Sequence, residues 1–197
     1  MIDCIRKENF KMEKKYSVAI YPSQDVIDAV KTMKDYLKSK IDWYNSCNSV
    51  AHITICEFTM DESQIHKYKQ KLSKICDTFE SFPVYLDYFG SYEAGAFYIA
   101  PNEDSKMNLK PIMKKVQEAL QLSNLKKSND PHISIGRRLT SENLKIASQL
   151  FTTIDIDFLC REILLRELDP VKKQFFVIDT FSFNGNVQPE LVQGTLF

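Results

Sequence analysis

Apolar residues fall along this chain in two rhythms, one of period two and one of period 3.6, and their alternation predicts short strands separated by amphipathic helices. Tyr16 to Tyr21 alternates as a strand and stops at Pro22, and Ser23 then stands as a helix N-cap. Val26, Ile27, Val30, Met33 and Leu37 recur at helical spacing to about Lys38. The polar run Asn45 to Ser49 leads into a second strand, Val50 to Phe58. Asp61 or Ser63 caps a second predicted helix with Ile65, Tyr68, Leu72 and Ile75 on its apolar stripe, ending near Phe79. Pro83 to Phe89 and Ala96 to Ala100 flank a turn region, Gly90 to Gly95, and read as a hairpin or neighbouring strands. A helix follows Pro101, with Leu109, Ile112, Met113, Val116 and Leu120 in phase. After the polar loop Leu122 to Asp130 comes another strand, then a helix from Ser141 to about Phe151, and two β-rich stretches, Ile154 to Leu168 and Gln174 to Phe183.

The order of elements repeats loosely. In each half a helix precedes one strand, another helix follows it, and β-rich segments come next. This predicts an α+β fold of two pseudo-symmetric antiparallel sheets, bilobal, with helices on the outer faces and a central cleft. Residues 16–183 form the expected single domain, 1–15 an N-terminal extension outside the folded body, and 184–197 a peripheral tail. A length of 197 residues fits one domain of this kind.

Composition changes the picture in three ways. Twenty-six basic and 26 acidic residues cancel, so no global field draws the protein to nucleic acid or an anionic membrane, and any affinity for phosphate has to be local. Five cysteines without CxxC spacing argue against a disulfide framework and a zinc ribbon and favour reduced thiols in a cytoplasmic protein. The chain lacks an apolar run long enough to span a bilayer, and Met1 to Lys15 lacks the apolar core of a signal peptide, so no membrane partner is expected.

Two of the three histidines open the same short phrase, His52-Ile53-Thr54-Ile55 and His132-Ile133-Ser134-Ile135. On a strand, His52 and Thr54 project from one face while Ile53 and Ile55 enter the core, and the second copy does the same. The repeated element order gives the two strands a reason to meet across the cleft. A metal site would want three or four ligands, and neither a third histidine nor a carboxylate stands at ligand spacing, so no metal or other cofactor is expected. A serine nucleophile would want one base and one orienting group in place of a symmetric pair. Two facing imidazoles suit proton transfer at a phosphodiester, one neutral and one protonated near pH 7. Thr54 and Ser134 are then placed to donate hydrogen bonds to non-bridging oxygens.

The duplicated His-x-[Ser/Thr]-x phrase resembles the signature of the two-histidine (2H) phosphoesterase superfamily, in its bacterial 2′-5′ RNA ligase and cyclic phosphodiesterase branch. The resemblance covers about Tyr16 to Phe183 in motif and element order. It implies a metal-independent phosphodiesterase acting on 2′,3′-cyclic phosphate or 2′-5′ bonds of RNA termini or small nucleotides, with reverse ligation as a further activity. By that resemblance His52 and His132 are the acid–base pair, and Thr54 and Ser134 hold the phosphate. Arg137 and Arg138 follow the second phrase where that branch often carries a basic residue. Strand alternation puts Arg138 on the histidine face, and Arg137 joins it only if a bulge at Gly136 shifts the phase. Tyr21 and Tyr98 are candidate substrate contacts, and Cys56, two past Thr54, is expected to line the groove as a small apolar residue. Lys126 and Lys127 read as loop surface charge, and His66 as an exposed helix residue. A monomer is expected. The alternatives are a non-catalytic nucleotide or RNA-end binding module using the same cleft, and a structural domain whose histidines lie far apart.

Overall fold

A computed structural model of the protein describes residues 13–186; the expected N-terminal extension up to residue 12, with Cys4, and the tail beyond residue 186 lie outside the described residues. The first strand, β1 (Glu13–Ile20), begins three residues before Tyr16. It is followed by α1 (Gln24–Ile41), β2 (Ile53–Asp61), a 3-10 turn and α2 (Ile65–Cys76). Then come the hairpin β3 (Phe82–Tyr92) and β4 (Ala96–Pro101), α3 (Glu103–Leu120), the two-residue β5 (Lys126–Lys127) and β6 (Ile133–Gly136). The chain closes with α4 (Ser141–Leu150), β7 (Ile156–Cys160), β8 (Glu162–Asp169) and β9 (Gln174–Ser182). Ser23 stands at the N-cap of α1 but makes no side-chain cap bond, and the cap expected for α2 at Asp61 serves the 3-10 turn before it. Asn102 and Thr140 accept backbone N–H bonds from Ser105 and Asn143, and Asp61 accepts one from Ser63. Among the described residues no helix is long and apolar enough to cross a membrane.

The fold is α+β and every strand pairing is antiparallel. Two separate sheets were expected, and here the structure differs. All nine strands belong to one hydrogen-bonded sheet in the order β7-β3-β4-β6-β2-β1-β8-β9, with β5 attached to β2. The halves β7-β3-β4-β6 and β2-β1-β8-β9 meet where Ile53 partners Ile133. The two histidine strands are therefore innermost and adjacent. Helix α1 crosses from one half to the other, while α2 stays on the half of its own strand. Helix α1, which follows β1 in the chain, packs against β6, β7 and α4, whereas α2 packs against β8, β9 and α3. Ile53, Ile55, Ile133 and Ile135 are all fully buried in the resulting core. Burial of each such side chain is worth about 1.5–3 kcal/mol, which fixes which face of β2 and β6 points inward.

Each histidine strand also carries a bulge at the same place in its phrase. Ala19 partners Thr54 while Val18 partners Cys56, so Ile55 is the extra residue on β2. Tyr98 partners Ser134 while Phe97 partners Gly136, so Ile135 is the extra residue on β6. One inserted residue reverses the alternation beyond it. Cys56 is thereby turned away from the groove it was expected to line. It is fully buried, and Glu57 takes the outward place. On β6 the same reversal brings Arg137 to the histidine face, one residue earlier than a bulge at Gly136 would have done.

Candidate active site

The outward faces of β2 and β6 floor a cleft of about 680 Å³. The partners Ile53 and Ile133 point into the core, and their strand neighbours His52, Thr54, His132 and Ser134 surround that pair at four corners, all lining the cleft. The expectation that both phrases meet in one groove thus has a simple geometric basis. Neither histidine is a strand residue in the strict sense, because each occupies the position just before its strand begins.

That position lets each ring reach back along its own chain. His52 Nδ1 lies 2.7 Å from the carbonyl oxygen of Val50, and His132 Nδ1 lies 2.9 Å from that of Asp130. A carbonyl only accepts, so Nδ1 carries hydrogen in both rings and Nε2 is left bare in the neutral form. The two rings are held in the same tautomer with the same free nitrogen.

Their surroundings differ. Burial, then the Arg166 guanidinium, with Arg137 and Lys34 adding to it, holds His52 well below the usual histidine range. Burial also lowers His132, but its Asp130 neighbour opposes the shift through both carbonyl and carboxylate. Tyr92 donates its hydroxyl to the Asp130 carboxylate and sets its ring edge-on to His132, 5.7 Å between centroids. The loop before His52 is braced from α1, where the buried Lys34 ammonium donates to the Ser49 carbonyl at 2.7 Å and to the Ser49 hydroxyl at 3.0 Å. Burial pushes the Lys34 pKa down to about 8.

The other expected site residues divide. Arg137 lines the cleft and donates from Nε to the Ser134 hydroxyl at 3.2 Å, while its backbone N–H bonds the Asn45 carbonyl. Arg138 leaves β6 in a left-handed conformation (φ 54°) and also lines the cleft. Tyr21 does too, its ring 6.2 Å from that of His52. Tyr98 does not reach the cleft. It is buried beneath the site, its ring 5.0 Å from His132 and 4.6 Å from Tyr92, over the space left by Gly90. A Cβ at Gly90 would stand 2.6 Å from the Tyr98 ring, so Gly90→Ala should cost about 1–3 kcal/mol in chemical denaturation and, by pushing Tyr98 against His132, lower kcat as well. Unchanged stability and kcat in that variant would show that Tyr98 does not support the histidine.

Several cleft residues escaped the sequence. Lys126 and Lys127 are not loose loop charge: β5 sets Lys126 opposite Glu57 and Lys127 opposite Cys56. The Ile55 bulge carbonyl holds β5 there by accepting from the Ser128 N–H and from buried Gln117, whose amide also donates to Ser128. Arg166 on β8 lies opposite Ser17 and donates to its hydroxyl at 2.6 Å, with the guanidinium between the rings of Tyr21 and Phe175 at 5.7 and 5.2 Å. The available signal was a charge in the middle of the apolar run Ile163-Leu164-Leu165-Arg166. His66 is exposed on α2 and pairs with Gln70, away from the cleft. The cysteines among the described residues are free and buried, and burial pushes Cys56, Cys76 and Cys160 up to about 12, which leaves them poor nucleophiles.

A single antiparallel sheet with two histidine phrases at its centre defines a class that has been seen before. Escherichia coli LigT, in its complex with 3′-AMP, superposes with a TM-score of 0.64 at 10% identity, covering 87% of this chain and 99% of that one. The Thermus thermophilus protein TT0787 gives 0.61 at 15% identity, over 88% and 100% of the two chains. Kluyveromyces marxianus Usb1 gives 0.53 at 15% identity, over 86% and 98%. No curated protein sequence matches significantly. Residues 23–171, which include both phrases, match the 2′-5′ RNA ligase superfamily, and the chain belongs to that family of two-histidine phosphoesterases.

Proposed function

We propose that the protein is a phosphodiesterase that opens 2′,3′-cyclic phosphates, or cleaves 2′-5′ bonds, at RNA ends or in small nucleotides by two-histidine acid–base catalysis. The observation that carries this is the four-cornered set of His52, Thr54, His132 and Ser134, with both Nε2 atoms unprotonated in the neutral rings and directed from matched positions. E. coli LigT has been crystallised with 3′-AMP, a nucleotide, and that supports the substrate class.

The unequal surroundings support a division of roles. His52, beside Arg166, stays neutral and is the base: its Nε2 takes a proton from water as the water oxygen bonds to phosphorus. His132, beside Asp130, more readily holds a second proton and is the acid: Nε2–H passes it to the ribose oxygen as the P–O bond breaks. Thr54 and Ser134 donate hydrogen bonds to the non-bridging oxygens, and the Arg137 charge on Ser134 balances the phosphate. With an RNA hydroxyl in place of water, the same pair joins a cyclic phosphate end to a hydroxyl end: His52 takes the hydroxyl proton as its oxygen bonds to phosphorus, and His132 protonates the departing ribose oxygen.

Hydrolysis of a nucleoside 2′,3′-cyclic monophosphate and of a 2′-5′ dinucleotide, with EDTA present, tests the proposal. Turnover of at least one that survives the chelator is expected. Binding of nucleotide without turnover would favour the non-catalytic module instead.

A further inference from the structure

Among the described residues six cations line the cleft without an ion-paired carboxylate: Lys126, Lys127, Arg137, Arg138, Arg166 and Lys173. Lack of a carboxylate alone does not set them apart, since among the described cations outside the cleft Lys14, Lys31 and Lys69 bind an Asp or Glu while Lys67 and Lys74 do not; convergence on one cleft does. The one carboxylate in the cleft lining, Glu57, is held by Lys15 at 2.7 Å. A cyclic phosphodiester brings a single negative charge, and Arg137, already fixed on Ser134, is placed to meet it.

Arg166 is the cation that most needs explaining. It is 3% exposed, its Nε has no hydrogen-bond partner, its hydrogen bond goes to the Ser17 hydroxyl, and the carboxylate that acts on it, Glu57, is itself ion-paired to Lys15. A buried guanidinium without a paired carboxylate is costly unless an anion arrives to meet it. The rings of Tyr21 and Phe175 fix its plane, and Lys173 and Gln174 line the same wall of the cleft. The volume of about 680 Å³ is ample for more than one phosphate group.

We propose that Arg166, with Lys173 of the β8–β9 turn lining the same cleft, forms a second phosphate site, so that the substrate is a nucleotide carrying a phosphate beyond the one that reacts. This rests on the phosphodiesterase function proposed above and narrows its substrate. The second charge comes either from an internucleotide diester of an RNA end or from a terminal phosphate.

Calorimetric titration with 3′-AMP and with adenosine 3′,5′-bisphosphate, on the full chain, tests it. The bisphosphate is expected to bind about tenfold or more tightly than 3′-AMP. Arg166→Met should bring that ratio towards one, and so should Lys173→Ala, a turn substitution that leaves the buried strand untouched if Arg166→Met fails to fold. The double variant K126A/K127A should keep the ratio. A dinucleotide 3′-phosphate distinguishes the two sources: a gain equal to the bisphosphate's points to RNA ends, a smaller gain to a terminal phosphate, and either supports the site. Equal affinity of the wild type for 3′-AMP and the bisphosphate would overturn the second site alone. So would a loss in Arg166→Met that is the same for both ligands, because the guanidinium would then serve the reacting phosphate. Loss of the ratio in K126A/K127A would move the second phosphate to the opposite wall and overturn the assignment. Binding of neither ligand would overturn both this site and the function on which it rests.

Discussion

His52→Ala and His132→Ala should each lower kcat on a 2′,3′-cyclic nucleotide by about 10²–10⁴-fold, the range for loss of a positioned acid or base. The double variant should be little worse than either single one, because the two groups act on one transition state and their losses do not add. Thermal stability should stay close to wild type or rise slightly, since both side chains line the cleft and neither fills the core. Full activity in either single variant, measured by initial rates with the folded state checked by circular dichroism, would sink the mechanism. Losses of unequal size, both below the wild-type rate, would show that the pair is unequal in need as well as in surroundings.

The second large effect is on pH dependence. The proposed mechanism needs His52 neutral and His132 protonated before substrate binds, and both are shifted below the usual histidine value of about 6.5. The acid limb of kcat/KM reports His52 and the alkaline limb His132, so kcat/KM should decline as pH rises above about 6.5. Arg166→Met removes a cation that opposes protonation of His52, which raises the His52 pKa and moves the acid limb to higher pH. Asp130→Asn removes an anion that favours protonation of His132, which moves the alkaline limb to lower pH. Both variants narrow the bell from opposite sides. If Arg166→Met moved the alkaline limb instead, the acid and base would be exchanged.

The same shift has a sign for stability. A folded-state pKa below the unfolded one means that the unfolded chain binds more protons between the two values, so stability is full above about pH 6.5 and is lost as pH falls towards the folded value. Denaturant midpoints for His52→Gln should therefore fall less steeply than wild type below about pH 6.5. Parallel curves would mean that charging the ring carries no penalty in the fold.

The sequence carried the helices, the hairpin and the two phrases because each has a local signal: apolar period, cap, turn or histidine. Helix α1 behind Ser23 and the β3–β4 hairpin lie close to where periodicity put them. What escaped was set by partners far along the chain. A bulge is one extra residue with no composition of its own, and Ile55 and Ile135 look like any other apolar strand position. Yet those two residues decide that Cys56 is buried and that Glu57 and Arg137 face the cleft. Lys34 sits at an ordinary-looking helix position, and only the packed loop at Ser49 explains its burial. Tyr98 was legible as a strand aromatic but not as a support behind His132, because that role depends on the opposing Gly90.

The crossing of α1 from one half of the sheet to the other bears on how such a protein can be divided. Helix α1 leaves one half to cover the other, and the chain returns to the first half with β8 and β9 only at its end. No single cut yields a fragment with a complete sheet half and its own covering helices. The two histidine phrases therefore depend on one continuous chain: a cut between them leaves the half of the first without β8 and β9 and the half of the second without α1.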